Sequence, residues 1–213
     1  MRNSEFRIKN GPFNNLPDCR AILRFSFFIL NLAFLVNASA EDKAPAGDKP
    51  AVYLEPGKTA GDYRNVALNP KATATAEPTS YPHATSNSEY NKKEFAARCA
   101  IDGSRKNNDV HGCGSWGPQI APDIWWKLDF GRPVEIDKLV IFLRAAWGHD
   151  SFWKEGVVEF SDGSTEKLTL KKVAEGQEFP ITKRKVTWLK LKDLKADEPK
   201  WCAICEFEAW GKD

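Results

Sequence analysis

Residues 123–144 read DIWWKLDFGRPVEIDKLVIFLR, and this stretch decides the fold. Apolar and polar side chains alternate on both sides of Gly131, and no helical period is present. Alternation every second residue is typical of a β-strand that buries one face. We therefore expect two consecutive strands, one at 123–130 and one at 134–144.

Similar short runs recur along the rest of the chain, between clusters of turn residues. They lie at 72–76, 99–101, 156–160, 165–171, 185–191 and 201–210. The sequence SDGS at 161–164 predicts a tight turn. Because no segment supplies the crossover helices that a parallel sheet needs, we predict an all-β fold. About eight antiparallel strands suit a β-sandwich of the jelly-roll type.

The composition fits one such domain with additional N-terminal segments. The chain has 213 residues, of which 28% are charged and 42% hydrophobic, and this excludes a disordered or fibrous protein. Residues 1–40 contain five of the 31 basic side chains and two of the 29 acidic ones, which leaves 26 against 27 and a net charge of −1. A near-neutral chain lacks the basic surface that nucleic acid or an anionic membrane attracts, so we expect neither as a partner.

The N-terminal region predicts export. Residues 25–36, FSFFILNLAFLV, are largely apolar, follow Arg20 and Arg24, and precede the small residues ASA at 38–40. This order of basic, apolar and small residues forms a secretory signal. The alternative is a short membrane anchor or a buried helix, although twelve residues span a bilayer poorly. We expect 1–40 to be a signal peptide and the mature protein, without a transmembrane segment, to be secreted, periplasmic or at the cell surface.

Composition also divides the rest of the chain. Residues 41–63 are rich in Pro, Ala, Lys and Gly without any period, which indicates a linker. Residues 64–213 hold all the predicted strands and are expected to form the domain. Function is expected in the long loops between the strands, which lie at 77–95, 102–122, 145–155 and 195–201.

Five segments, in this order, resemble the discoidin, or coagulation factor five/eight type C, domain. They are NVALNPKATATA (65–76), CAIDG (99–103), DIWWKLDFG (123–131), VEIDKLVIFLR (134–144) and ICEFEAWG (204–211). The resemblance implies a galactose-binding-like β-sandwich, similar to carbohydrate-binding module family 32, that binds without catalysis. Animal members of the family also bind lipid head groups and proteins. The chain departs from the family at 104–115, where an insertion precedes Trp116.

The loop residues predict a sugar-binding surface. Sugars present flat C–H faces and many hydroxyls, so a site needs an open aromatic ring beside planar polar groups. Residues 144–153, RAAWGHDSFW, supply that mixture, and Arg144 matches a position at which the family often has a ligand-binding residue. The predicted ligand-binding residues are Arg144, Trp147, His149, Asp150, Trp153, Tyr81, His83, His111 and Trp116. The alternatives are tryptophans packed on the core, histidines without a ligand and an Asp150 that only caps its turn.

The resemblance also implies a structural calcium ion. Calcium prefers hard oxygen ligands from carboxylates and carbonyls. In the family, the Asp of the Asp-Gly turn and the first Glu of the closing strand hold the ion. These match Asp102 and Glu206, and Ser115 matches a hydroxyl ligand. The alternative is that Asp102 only fixes its turn and Glu206 is a solvated strand residue.

Four cysteines follow the signal, and export favours disulfides between them. Cys202 and Cys205 lie about 10 Å apart on an extended strand, which is too far for a bridge to each other. If a calcium ion joins the Asp-Gly turn to the closing strand, Cys99 lies beside that strand. We then expect a disulfide from Cys99 or Cys113 to Cys202. A local bridge between Cys99 and Cys113 is the main alternative, and a four-cysteine zinc site is a weaker one.

The sequence therefore predicts a secreted, non-catalytic protein that binds oligo- or polysaccharides through aromatic, Arg, His and Asp side chains of its loops. It contains no phosphate-binding glycine loop, zinc-protease helix or nucleophile elbow. The first alternative is an adhesion module of the same fold that binds another secreted or cell-surface protein. The second is an enzyme, either a thiol oxidoreductase or a glycoside-active protein.

We expect signal peptidase to cleave after Ala40, because ASA supplies the small side chains that its cleavage position requires. The exported protein should then begin at Glu41, which N-terminal sequencing measures directly. An exported protein that still carries residues 25–36 would contradict this expectation and support the membrane anchor.

Overall fold

Two long strands, β5 and β8, organise the structure, a computed structural model that describes residues 51–73, 80–106, 113–119, 121–145 and 147–213. The strands of this part of the chain are β1 (Ala51–Val52), β2 (Arg64–Asn65), β3 (Ser80–Tyr81), β4 (His83–Ser86), β5 (Trp126–Leu143), β6 (Trp153–Phe160), β7 (Thr165–Thr169), β8 (Gln177–Ala196) and β9 (Ile204–Lys212). Two 3-10 helices are also present, Pro70–Thr73 and Ala97–Ala100. Within the described residues, no helix has the length and apolar character to cross a membrane.

Seven strands form one antiparallel sheet in the order β2-β9-β5-β8-β6-β7, with β4 paired to β5. The first part of β5, 126–129, pairs with β4 and β8, and the later part pairs with β8 and β9. Gly131 lies at the change of partners, where the register is irregular and its φ is 70°. A Cβ there would lie 2.2 Å from the ring of Tyr81, so only glycine fits. The fold is the predicted all-β sandwich, and the two stretches predicted as separate strands belong to one strand.

The core forms where the alternating side chains of β5 point inward. Trp126, Leu128 and Phe130 are fully buried. The Trp126 ring lies 5.0 Å from the ring of Phe207 on β9, and its Nε1 donates to the carbonyl of Ala97 at 2.9 Å. Because burial of apolar area is the main favourable term in folding, this row holds the sheet against the second 3-10 helix.

The start of the strand predicted at 72–76 lies in the first 3-10 helix. Ala72 belongs to this helix, and most of the predicted strand, 74–76, lies outside the described residues. Asn69 starts the turn: its carbonyl accepts from the Ala72 N–H at 2.9 Å, and its Oδ1 accepts from the Lys71 N–H at 3.1 Å. An Asn followed by Pro favours such a turn, and this local bonding overrides the β-like composition.

The segment at 99–101, also predicted as a strand, lies largely in the second 3-10 helix, where the Cys99 N–H donates to the Ala96 carbonyl at 3.0 Å. Cys99 forms a disulfide with Cys113, with Cα atoms 5.3 Å apart, while Cys202 and Cys205 are free thiols. The expected bridge to Cys202 is therefore wrong, and the local alternative is correct. The Gly114 N–H donates to the Glu94 carbonyl at 3.1 Å, which brings the end of the insertion beside this helix.

The end of the predicted linker also makes contacts with the sheet region. Ala51 and Val52 pair in parallel with β3, and the Tyr53 N–H donates to the Tyr81 carbonyl at 2.7 Å. Residues within 41–63 therefore contribute backbone hydrogen bonds to the described structure.

A buried ion pair joins β2 to the end of β9. The Arg64 side chain is 2% exposed, and its guanidinium donates to Asp213 Oδ1 at 2.7 Å. Arg132 also donates to Asp213, at 2.9 Å. Burial favours a higher pKa for Asp213, but the hydrogen bonds and charges of Arg132 and Arg64 outweigh burial and lower the pKa below its ordinary value.

Replacement of Asp213 by Asn should lower the free energy of unfolding by about 2–3 kcal/mol at neutral pH, because it leaves the Arg64 charge buried without its carboxylate. The folded-state pKa of Asp213 lies below 3.8, so the stabilisation is present above that pH and is lost as the pH falls through the folded pKa. Urea unfolding of both proteins between pH 7 and pH 2 measures the difference and its loss at low pH.

The matched control is Glu198→Gln, which removes the exposed ion pair with Lys200 and should change stability by less than about 0.5 kcal/mol. Equal effects of the two substitutions would contradict the role assigned to Asp213.

Candidate functional site

The end of β5 places Arg144 at the rim of the sheet. Its N–H donates to the Ala203 carbonyl at 3.0 Å, which fixes the strand end beside the segment that enters β9. Its Nε donates to Asp150 Oδ2 at 3.2 Å, and the side chains of Arg144 and Asp150 are only 12% and 0% exposed. This nearly buried pair closes the loop between β5 and β6 and holds the guanidinium in one place.

Aromatic rings from two other loops surround this guanidinium. The rings of Phe95 and Trp201 each have their centroids 5.9 Å from the Arg144 guanidinium carbon. Tyr90 packs edge-on against Trp201 at 4.7 Å and against Phe95 at 5.9 Å, and it is 53% exposed. The arginine is therefore fixed by its carboxylate partner and by aromatic packing together.

Two exposed rings complete the arrangement. Trp147 is 45% exposed and stacks on His149, with ring centroids 6.2 Å apart and planes at 29°. His149 Nε2 lies 3.4 Å from Asp150 Oδ1 and 3.5 Å from an Arg144 nitrogen. The group that we call the rim cluster consists of Arg144, Trp147, His149 and Asp150 with Tyr90, Phe95 and Trp201.

The structure corrects two of the predicted ligand-binding residues. Trp116 is 0% exposed and Trp153 is 1% exposed, so neither offers an open ring face to a ligand. The Trp116 backbone pairs with Ile204, and its Nε1 donates to Ser86 Oγ at 3.2 Å. Because an indole is large and mostly apolar, its burial in the core stabilises the fold more than exposure in a loop would.

The remaining predicted ligand-binding residues lie elsewhere. Tyr81 packs against Gly131 on β5. His83 stands opposite Asp129 in the pairing of β4 with β5, and it lines a pocket of about 410 Å³. His111 lies outside the described residues.

The sequence did not single out Tyr90, Phe95 and Trp201 as members of the site. They come from loops that lie more than 100 residues apart along the chain. The aromatic content of the predicted loops 77–95 and 195–201 was the available signal, but only the fold brings these loops together.

Two carboxylates, Asp102 and Glu206, lie close enough at the Asp-Gly turn to interact electrostatically. Glu206 is 0% exposed, and the Gly103 N–H donates to both its oxygens at 3.2 Å. Burial, together with the negative charge of Asp102, raises the pKa of Glu206 well above its ordinary value. Burial also raises the pKa of Asp102 to about 6, despite the hydrogen bond from the Ser104 N–H. Both carboxylates are thus held where a negative charge is unfavourable.

These residues fit the oxygen chemistry of a calcium ion. Ser115 immediately precedes Trp116, whose backbone pairs with Ile204. The Ser115 side chain is fully buried, and its Oγ has no hydrogen-bond partner. Among the residues that the structure describes, no group of three or more His, Cys, Asp or Glu side chains is arranged to hold a metal. The two carboxylates would therefore need the Ser115 hydroxyl and backbone carbonyls to complete a coordination shell.

The two free thiols are poor nucleophiles. Burial raises the pKa of Cys202 to about 11 and the pKa of Cys205 to about 12. Both are therefore protonated at neutral pH, whereas thiol–disulfide exchange requires a thiolate.

Comparisons with known proteins agree with this architecture. Three solved structures share the fold: a fucolectin from Morone saxatilis (striped bass) serum, a fucose binding module of Streptococcus pneumoniae, and the lectin domain of lectinolysin complexed with Lewis B antigen. Their identities to this chain are 18%, 15% and 14%, and their TM-scores are 0.53, 0.51 and 0.53. The matches cover 70%, 73% and 70% of this chain and 49%, 100% and 98% of those chains.

No curated protein sequence matches the chain. The sequence model of the F5/8 type C domain matches residues 83–207, which include β4 to β8, the first four residues of β9 and every member of the rim cluster. The chain belongs to the F5/8 type C, or discoidin, domain family.

Proposed function

We propose that this protein is a secreted, non-catalytic carbohydrate-binding protein whose glycan site is the rim cluster. The observation that carries the proposal is the exposed indole of Trp147, stacked on His149 beside the buried pair of Arg144 and Asp150. An open ring next to fixed polar groups is the combination that a sugar needs, because its C–H face packs on the ring while its hydroxyls accept and donate hydrogen bonds.

The construction of the site favours binding with little reorganisation. Asp150 is buried and holds the guanidinium of Arg144, and the rings of Phe95 and Trp201 pack against the same group. Side chains that are already ordered lose little conformational entropy when a ligand arrives. The three structures of the same fold are a fucolectin, a fucose binding module and a lectin domain complexed with Lewis B antigen, which supports a glycan as ligand here too.

Several features support binding rather than catalysis. The thiols of Cys202 and Cys205 are buried and protonated, which argues against a thiol oxidoreductase. The carboxylate of Glu208 accepts from Arg105 and from Trp210 Nε1, each at 2.7 Å, and these contacts within the protein argue against its use as the acid or base of a glycoside-active enzyme. Export is supported by the predicted signal at 1–40 and by the disulfide between Cys99 and Cys113, since disulfides persist in oxidising compartments.

Replacement of Trp147 by Ala should weaken glycan binding about tenfold, because it removes the open aromatic face and leaves the ion pair between Arg144 and Asp150 intact. A glycan array followed by affinity gels with the best-bound polysaccharide provides the measurement. The matched control is Tyr63→Ala, which removes another exposed ring, on the side of β9 that holds Trp210.

The control protein should bind as strongly as the wild type. Equal binding by the Trp147 variant and the wild type would overturn the site. Protein partners captured in a pull-down that free sugars do not disturb would favour the adhesion module instead.

We also propose that Asp102, Glu206 and Ser115 hold a calcium ion together with backbone carbonyls of the Asp-Gly turn. A bound divalent cation supplies the positive charge that would offset two neighbouring carboxylates held away from water. The buried hydroxyl of Ser115, which has no hydrogen-bond partner, is the third side chain of suitable chemistry. In this arrangement the residues would join the turn at Asp102 to β9 and stabilise the fold.

Chelation of calcium should lower the melting temperature by roughly 5–10 °C, because an ion at about a hundred times its Kd contributes about 2.7 kcal/mol to the stability of a domain of this size. Thermal unfolding with added calcium and with a chelator measures the shift. Glu206→Gln should abolish the shift, whereas Glu208→Gln, on the same strand, should retain it. A chelator response that survives Glu206→Gln would place the ion elsewhere.

A further inference from the structure

We propose that the pocket lined by His83 is a second binding site, independent of the rim cluster, and that its ligand is a sugar acid. We call it the β4 pocket, because β4 lines it along its whole length, with walls from both 3-10 helices and residues 87–89. None of the residues that line it belongs to the rim cluster. Its volume, about 410 Å³, suits a monosaccharide or the end of a longer glycan.

The walls of the β4 pocket are held by hydrogen bonds, of which those of Asn69 are buried. Asn69 is buried, and its amide nitrogen donates to the carbonyls of Ser80 at 3.2 Å and Pro82 at 2.8 Å. Ser86 Oγ accepts from the indole of Trp116 at 3.2 Å. Asn87 donates to the Asp123 carbonyl at 2.8 Å. These bonds give the pocket a fixed shape before any ligand enters.

The floor of the pocket is apolar and its rim is polar. Ala84, Ala96 and Ile101 are buried residues that line it. Hydroxyl and amide groups of Thr85, Ser86 and neighbouring residues form the sides. A ligand with hydroxyls around a compact carbon ring matches this distribution better than a purely apolar molecule does.

The charge of the lining points to an anion. Three cations, Lys71, Lys92 and Arg98, line the pocket with a single carboxylate, Glu89. The Glu89 carboxylate already accepts from the Ala97 N–H at 2.7 Å, so part of its capacity is taken within the protein. A carboxylate on the ligand would therefore meet a net positive site.

Arg98 adds a specific donor to this charge. Its two terminal nitrogens donate to the carbonyls of Lys92 at 2.7 Å and Lys93 at 3.4 Å, which hold the side chain along the loop. Its Nε is buried and has no hydrogen-bond partner. The guanidinium is therefore held in place by the loop backbone, and its positive charge adds to that of the two lysines in the lining.

Calorimetry or ligand-observed NMR tests the proposal. The affinities to be measured are those of galacturonate, of N-acetylneuraminate and of galactose, which is the uncharged comparison. At least one of the acids should bind more tightly than galactose to the full-length protein. Lys92→Glu, which reverses a charge in the lining, should weaken that binding about tenfold. Lys93→Glu is the matched control, because Lys93 is the next residue and is also exposed but does not line the pocket.

The control variant and Trp147→Ala should both bind the sugar acid as the wild type does. Failure of both acids to bind, or an equal loss in the Lys92 and Lys93 variants, would overturn the β4 pocket as a site. Loss of acid binding in Trp147→Ala would assign the acid to the rim cluster. If Trp147→Ala leaves glycan-array binding unchanged while Lys92→Glu still weakens acid binding, the proposed function of the rim cluster fails and the β4 pocket stands.

Discussion

Burial of one face of β5 is the constraint on which the rest of the structure depends. Trp126, Leu128 and Phe130 point inward from its first half, and the strand continues past Gly131 to the rim. Because the strand is pinned by this row, the residue that follows its end, Arg144, has a fixed position relative to the core. The loops that come to Arg144 from other parts of the chain meet a rigid anchor there, and this anchor is what orders the rim cluster.

The strands were predictable because their signal is local. Alternation in 126–130 or 165–169 depends only on neighbours in sequence, and the structure confirms both. The failures arise where a few hydrogen bonds or a covalent link outweigh composition. The hydrogen bonds of Asn69 begin a 3-10 helix where the strand at 72–76 was predicted to start. Cys99 forms its disulfide with Cys113, only 14 residues away, and not with Cys202. Neither outcome can be calculated from the period of apolar residues.

The candidate site divides in the same way. Arg144, Trp147, His149 and Asp150 lie within seven consecutive residues, so the sequence could identify them as one group. Their aromatic neighbours Tyr90, Phe95 and Trp201 come from segments that only the tertiary fold brings together. Whether a tryptophan is open or buried is also a tertiary property: the loop that carries Trp147 also leads to Trp153, yet their exposures are 45% and 1%. Residue type and spacing alone do not distinguish the two.

Two binding sites of different chemistry on one domain would change how this protein recognises a polymer. An open aromatic face of the kind at Trp147 recognises a sugar ring through its C–H surface and discriminates poorly between charged and neutral rings. A pocket with three cations and one carboxylate discriminates by charge. If one glycan spans both, the second contact becomes intramolecular, and the apparent affinity can exceed that of either site by two or more orders of magnitude. Selectivity for acidic polysaccharides would then come from the combination, even though each site alone binds weakly.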